Sequence, residues 1–141
     1  DSRVVALATR RMLEKIGLTV RHVVSVEDAI ALLETDRARG LIGADVVLTD
    51  VSLKGELTGG DLLKHIRNEF GYGKGRLPVL VMTGDENPAN QAALIRAGAN
   101  DLVEKPVEER LLVTKLLFQL RVAAHLRARD PDERGPTGKH A

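Results

Sequence analysis

The chain has 141 residues, a near balance of 21 basic and 20 acidic side chains (net charge +1), and an apolar fraction of 43%. That length suits one domain with a real core, and the balanced charge gives no electrostatic case for nucleic acid as the main partner. The absence of cysteine excludes a disulfide framework, a thiolate metal site and a cysteine nucleophile, while 2% aromatic residues argue against base stacking or an aromatic cage.

No run approaches 18 apolar residues and no basic-plus-apolar leader opens the chain, so a soluble protein is expected, compatible with the cytoplasm. From Ser2 to Ile16, apolar Val5, Leu7, Met12 and Ile16 recur near helical spacing, and Gly17 is a natural stop. Thr19–Val24 is β-branched and predicts a strand. Ser25 then caps a helix over Val26–Arg39, with Asp28 in capping-box position. The stretch Asp45–Thr49 carries the unalternating apolar run Val46-Val47-Leu48, the pattern of a strand buried on both faces of a parallel sheet. It ends at Asp50, and a polar, Gly-rich loop follows from Val51 to Gly60.

A helix over Gly60–Phe70 buries Leu62, Leu63, Ile66 and Phe70, and Gly71 to Gly75 form a connection. Leu77–Met82 is a second fully apolar strand, ending at Thr83-Gly84-Asp85. Asn87-Pro88 opens the next helix, with proline at its first position, and Gly98 closes it. Asp101–Glu104 is a short strand before Lys105-Pro106, and Val107–Arg129 a long final helix. Residues 130–141 (DPDERGPTGKHA) are polar and rich in Pro and Gly, as in a disordered tail or linker.

Alternating strands and helices predict a parallel sheet covered on both faces with right-handed crossovers. Asp50, Thr83 and Lys105 then stand at the carboxyl ends of three strands, the edge where ligands collect in such sheets. Each alone has an ordinary reading: a turn aspartate, a threonine beginning a turn, a lysine snorkelling beside proline. Together, a carboxylate, a hydroxyl and an ammonium suit an acyl-phosphate site. The Asp50 carboxylate is the nucleophile, Lys105 pairs with a phosphoryl oxygen, and Thr83 donates a hydrogen bond to another. A divalent cation such as Mg²⁺ is needed to bring a phosphate dianion near carboxylates.

The spans VVLTDVSL, LPVLVMTGDE and AGANDLVEKPV, in this order and spacing, resemble the receiver domain of two-component response regulators, the CheY-like superfamily; the match runs from about Asp1 to Gln119. The resemblance implies an α/β, flavodoxin-like, doubly wound parallel sheet of strand order 2-1-3-4-5. It makes Asp50 the phosphoacceptor, Thr83 the switch hydroxyl, Lys105 the phosphate-pairing lysine and Pro106 its cis-peptide partner. The metal, Mg²⁺ or Mn²⁺, is held by Asp1, Asp50 and the backbone carbonyl of Ser52. Phosphate comes from a sensor histidine kinase or phosphotransfer protein, and an output domain or target protein reads the switch. Homodimer formation is compatible with this reading, whereas direct nucleic-acid binding by this domain and membrane association are not expected. Self-catalysed phosphotransfer and autodephosphorylation are the only chemistry implied. Residues 1–129 form the receiver unit and 130–141 the tail.

Three departures from that pattern stand out. The family's first strand and first acid have no counterpart ahead of Asp1, so residues upstream of Asp1 are expected in the full protein. Leu102 stands where the family places Tyr or Phe, and the loop VSLKGELTGG is longer and lacks the common proline. A phosphorylation-independent interaction module is the alternative these departures favour. A flavodoxin-like flavin or nucleotide enzyme is a third class. The Gly71/Gly73/Gly75 run precedes a strand and matches no nucleotide-binding loop, and the four histidines show no metal spacing.

Overall fold

The computed structural model describes residues 2–51 and 58–129. Local chemistry sets most element ends. Helix α1 spans Ser2–Lys15, and Gly17 follows it at φ 96°. Helix α2, Val26–Ala38, starts where the Ser25 hydroxyl accepts a hydrogen bond from the Asp28 N–H at 3.1 Å. Strand β1 is Val47–Asp50 and β2 is Val79–Thr83. Between them, α3 (Gly59–Lys64) begins in a capping box that Thr58 and Asp61 close reciprocally. Helix α4, Pro88–Arg96, is capped by Asn87, whose Oδ1 accepts from the Ala89 and Asn90 N–H groups. Strand β3 is Asp101–Glu104, and α5 is Glu109–Arg129.

The three strands form a parallel sheet of order β1-β2-β3, with Val47 beside Val79 and Leu80 beside Asp101. These are the last three strands of the expected order 2-1-3-4-5. Side-chain alternation along β2 divides the core in two. Val79 and Val81 face a layer made by α2, α3 and their neighbours, including Val26, Leu33, Leu62, Leu63 and Ile66. Leu80 faces the other layer, with Leu13 of α1, Val103 of β3, and Leu112 and Leu116 of α5. Helices on both faces of a parallel sheet make this a doubly wound α/β fold.

Two elements differ from expectation. Thr19–Val24 forms no strand; Leu18 and Val20 only pack, half-buried, against the α1/α5 layer. A β-branched run becomes a strand only when a neighbour completes its ladder. Among the described residues the sheet has just three members. The helix expected to run evenly through Phe70 changes to π-helical geometry over His65–Glu69, where the Phe70 N–H donates to the His65 carbonyl at 3.0 Å.

That wide turn carries Arg67, whose guanidinium donates to the carbonyls of Gly98, Tyr72 and Leu77 and to Asn100 Oδ1, at 2.8–2.9 Å. Asn100 Oδ1 also accepts from the Val79 N–H at 2.9 Å, so one arginine ties the wide turn after α3 to the amino-terminal edge of β2 and β3. Burial lowers its pKa to about 10, which leaves it charged at neutral pH.

Candidate functional site at the carboxyl edge of the sheet

The carboxyl ends of the strands meet above the sheet because the register places them there. Asp50 lies beside Met82, and Thr83 beside Glu104, so Asp50, Thr83 and Lys105 leave three adjacent strands at one level. The Lys105 N–H donates to the Thr83 carbonyl at 2.9 Å, which continues the ladder past β3 and fixes where the lysine side chain starts. From there its ammonium reaches Asp50 Oδ2 and forms an ion pair. The two side chains are 23% (Asp50) and 37% (Lys105) exposed, so an approaching group can reach the carboxylate. The Lys105–Pro106 peptide is cis.

Thr83 is almost fully buried at 1% exposure, and its Oγ1 accepts from the Asp85 N–H at 3.0 Å. It borders a cleft of about 370 Å³ shared with Val51, Gly60, Lys64, Asp85 and Asn90. The sequence-predicted trio is thus brought to one edge, with Asp50 and Lys105 in direct contact and Thr83 engaged with its own loop. Leu102 is half-buried, packs against the α2/α3 layer, and its carbonyl accepts from the Lys115 ammonium. Asp1, Ser52 and residues 130–141 lie outside the described residues.

Gly59, expected in the polar, Gly-rich loop, instead opens α3 and makes a close contact. A Cβ built there would stand 2.2 Å from the Asp50 carbonyl oxygen, closer than any side chain tolerates. The start of α3 therefore lies directly against the backbone of Asp50, with the Gly59 N–H donating to the Val51 carbonyl at 3.2 Å. A glycine whose neighbours are polar carries no sequence signal that separates this close approach from an ordinary turn.

Residues 1–117 match the response regulator receiver domain family. The chain belongs to that family. It is 31% identical over 133 residues to the transcriptional regulatory protein CseB of Streptomyces coelicolor, covering 94% of this chain and 52% of CseB. The sensory transduction protein RegX3 of Mycobacterium tuberculosis is 34% identical over 91 residues, covering 64% of this chain and 36% of RegX3. The chain thus spans about half or less of these curated relatives. Among solved structures, the receiver domain of NtrX from Brucella abortus matches at a TM-score of 0.67 and 28% identity, covering 81% of this chain and 88% of that one. A CheY-like receiver from Methanospirillum hungatei at 22% identity shares the fold, with a TM-score of 0.73, covering 87% of this chain and 90% of that one.

Metal binding at this edge of the receiver domain depends on the donors present. Of the three expected ligands, only Asp50 is among the described residues, and no group of three His, Cys, Asp or Glu side chains gathers elsewhere among them. An anionic oxygen donor at a strand end fits Mg²⁺, which takes one or two carboxylates together with phosphate and water oxygens. Among the described residues, no helix is long and apolar enough to cross a membrane.

Proposed function

We propose that this receiver domain accepts a phosphoryl group from a phosphohistidine of a sensor kinase or phosphotransfer protein onto the Asp50 carboxylate. The N–P bond of the donor, protonated on its other ring nitrogen, breaks as an O–P bond to Asp50 forms, which leaves a neutral imidazole and an acyl phosphate. Such transfers need positioning and charge neutralisation more than covalent help. The Lys105 ammonium, already against the carboxylate, pairs with a phosphoryl oxygen. The Thr83 hydroxyl donates to a second oxygen once it turns from the Asp85 N–H. Asp50 and the Ser52 carbonyl, with Asp1, would hold Mg²⁺, which supplies further neutralisation of the phosphoryl charge when bound.

The observation that carries this reading is the Asp50–Lys105 ion pair at the carboxyl edge of the sheet. Residues 1–129 act as the receiver unit, and residues 130–141 as a tail or linker. Since relatives such as CseB are transcriptional regulatory proteins about twice as long, an output domain or target in the cytoplasm reads the phosphorylated surface, in a monomer or a homodimer.

Intact mass after incubation with acetyl phosphate tests the reading. A gain of about 80 Da that requires Mg²⁺ and is lost in Asp50→Asn is expected of a cation-assisted acyl phosphate. No gain on the folded protein would move the function to a phosphorylation-independent interaction module.

A further inference from the structure

Leu102 on β3 is aliphatic, and the side chain that joins the loop after Thr83 to this strand comes from α4. The Gln91 carboxamide, half-buried on α4, donates from Nε2 to the Asp85 carbonyl at 2.9 Å and to Glu104 Oε2 at 3.1 Å. Asp85 is the residue whose N–H holds Thr83 Oγ1. Glu104 is the last residue of β3, beside Thr83 in the sheet and immediately before Lys105. Thr83, Asp85, Gln91, Glu104 and Lys105 therefore form a closed circuit along the carboxyl edge, and Lys105 extends it to Asp50.

Gln91 also occupies a boundary. It lines the cleft that contains Thr83 and Asp85. It equally lines a second cleft, of about 410 Å³, that Ile95, Leu102, Leu111 and Lys115 form between α4, β3 and α5. No residue of α4 is fully buried, so few packing contacts hold this helix against a pull at its first turns. Turning the Thr83 hydroxyl away from the Asp85 N–H removes one of the bonds that fix the 84–86 loop. Gln91 grips the carbonyl of that same Asp85.

We propose that Gln91 is the positioning residue that couples Thr83 to the α4–β3–α5 cleft, through its two hydrogen bonds to Asp85 and Glu104. This rests on the phosphoacceptor reading of Asp50. A ligand event at the edge moves Thr83 and Asp85, and Gln91 converts that movement into a shift of α4 against β3. A bistable contact that both regions bias is the physical requirement for such coupling.

The test uses ¹⁵N-labelled receiver domain with Mg²⁺ and beryllium fluoride, a tetrahedral mimic of the phosphoryl group. Amide shifts are followed at Thr83 and Lys105 for the site, and at Leu102, Leu111 and Lys115 for the cleft. The wild type is expected to respond at both places. In Gln91→Glu the site amides respond as in wild type, while the cleft response falls about threefold or more, the scale of loss when one link of a coupling is cut. Glu104→Ala, at an exposed strand end, cuts the same link and gives the same split. Combining Gln91→Glu with Glu104→Gln reverses donor and acceptor across the β3 contact but leaves the Asp85 carbonyl without its donor, so the cleft response stays reduced. Wild-type cleft shifts in both single variants overturn the proposal, as does loss of site and cleft response together. Absence of any site shift in the wild type is the separate failure of the phosphoacceptor reading, and the coupling falls with it.

Discussion

Lys105 meets Asp50 through a partly exposed ion pair, and such pairs contribute little to folding stability, about 0–1 kcal/mol. On the proposed phosphoacceptor reading, its value lies in charge placed where a phosphoryl oxygen would sit. Lys105→Gln is therefore expected to leave the urea midpoint nearly unchanged while lowering the rate of phosphoryl uptake from acetyl phosphate about a hundredfold, the usual loss for one preorganised charge-stabilising group. Gly59 behaves in the opposite way. Because a Cβ there meets the Asp50 carbonyl at 2.2 Å, Gly59→Ala must push α3 from the strand end. Overpacking of this kind costs about 1–3 kcal/mol, and chemical denaturation together with intact mass should show stability and phosphoryl uptake falling in parallel. Three aspartates add a pH dependence. Hydrogen bonds from the Asn87 N–H and the Asn90 side chain hold the Asp85 carboxyl below its ordinary value of 3.8. The Thr58 N–H and then its hydroxyl do the same for Asp61, and the Arg21 guanidinium for Asp36. A depressed folded-state value means that these groups stabilise fully above about pH 4 and lose that contribution as pH falls through their folded values. Melting temperature should accordingly be flat near neutrality and drop on acidification below 3.8.

At the scale of elements, α4 is held only loosely by the core. It has nine residues, none fully buried, and its start depends on Asn87 Oδ1 accepting from two backbone N–H groups. Asn87→Ala should cost about 1 kcal/mol, the usual loss for a helix cap. Native-state hydrogen exchange should then show α4 amides opening faster while α5, anchored by buried Leu112 and Leu116, keeps its protection; equal protection of the two helices would contradict this. Helix starts were legible in the sequence where a side chain announces them: Ser25, and Asn87 followed by proline. The Thr58–Asp61 capping box went unread because a Gly-rich polar stretch surrounds it, and composition there points to loop. The strand ends were legible for a different reason. Apolar runs such as Val46–Leu48 and Leu77–Met82 stop abruptly at polar residues, and a parallel sheet aligns those stops.

For the whole molecule, Arg67 joins parts of the chain that sequence distance separates. It gathers the carbonyls of Tyr72, Leu77 and Gly98 with Asn100 at the edge opposite the site. Replacing it with methionine keeps the stem and leaves those acceptors unsatisfied, which is expected to lower the free energy of unfolding by about 3 kcal/mol, as measured by urea denaturation. Nothing in the local pattern around Arg67 marks it, since an arginine between Ile66 and Asn68 on a helix reads as a solvated face. By itself the sequence determined the alternation of strands and helices, the two-sided core, and the three residues that end the strands. Those features follow from periodicity and from short-range chemistry, which neighbours in the chain decide. Only the tertiary structure decided that 19–24 stays out of the sheet, that Gly59 backs Asp50, that Arg67 tethers the far edge, and that Gln91 links Thr83's loop to β3. The last three are contacts made across turns and between elements, and the first is a missing ladder partner; none has a local signature, because the partner, not the residue, supplies the reason.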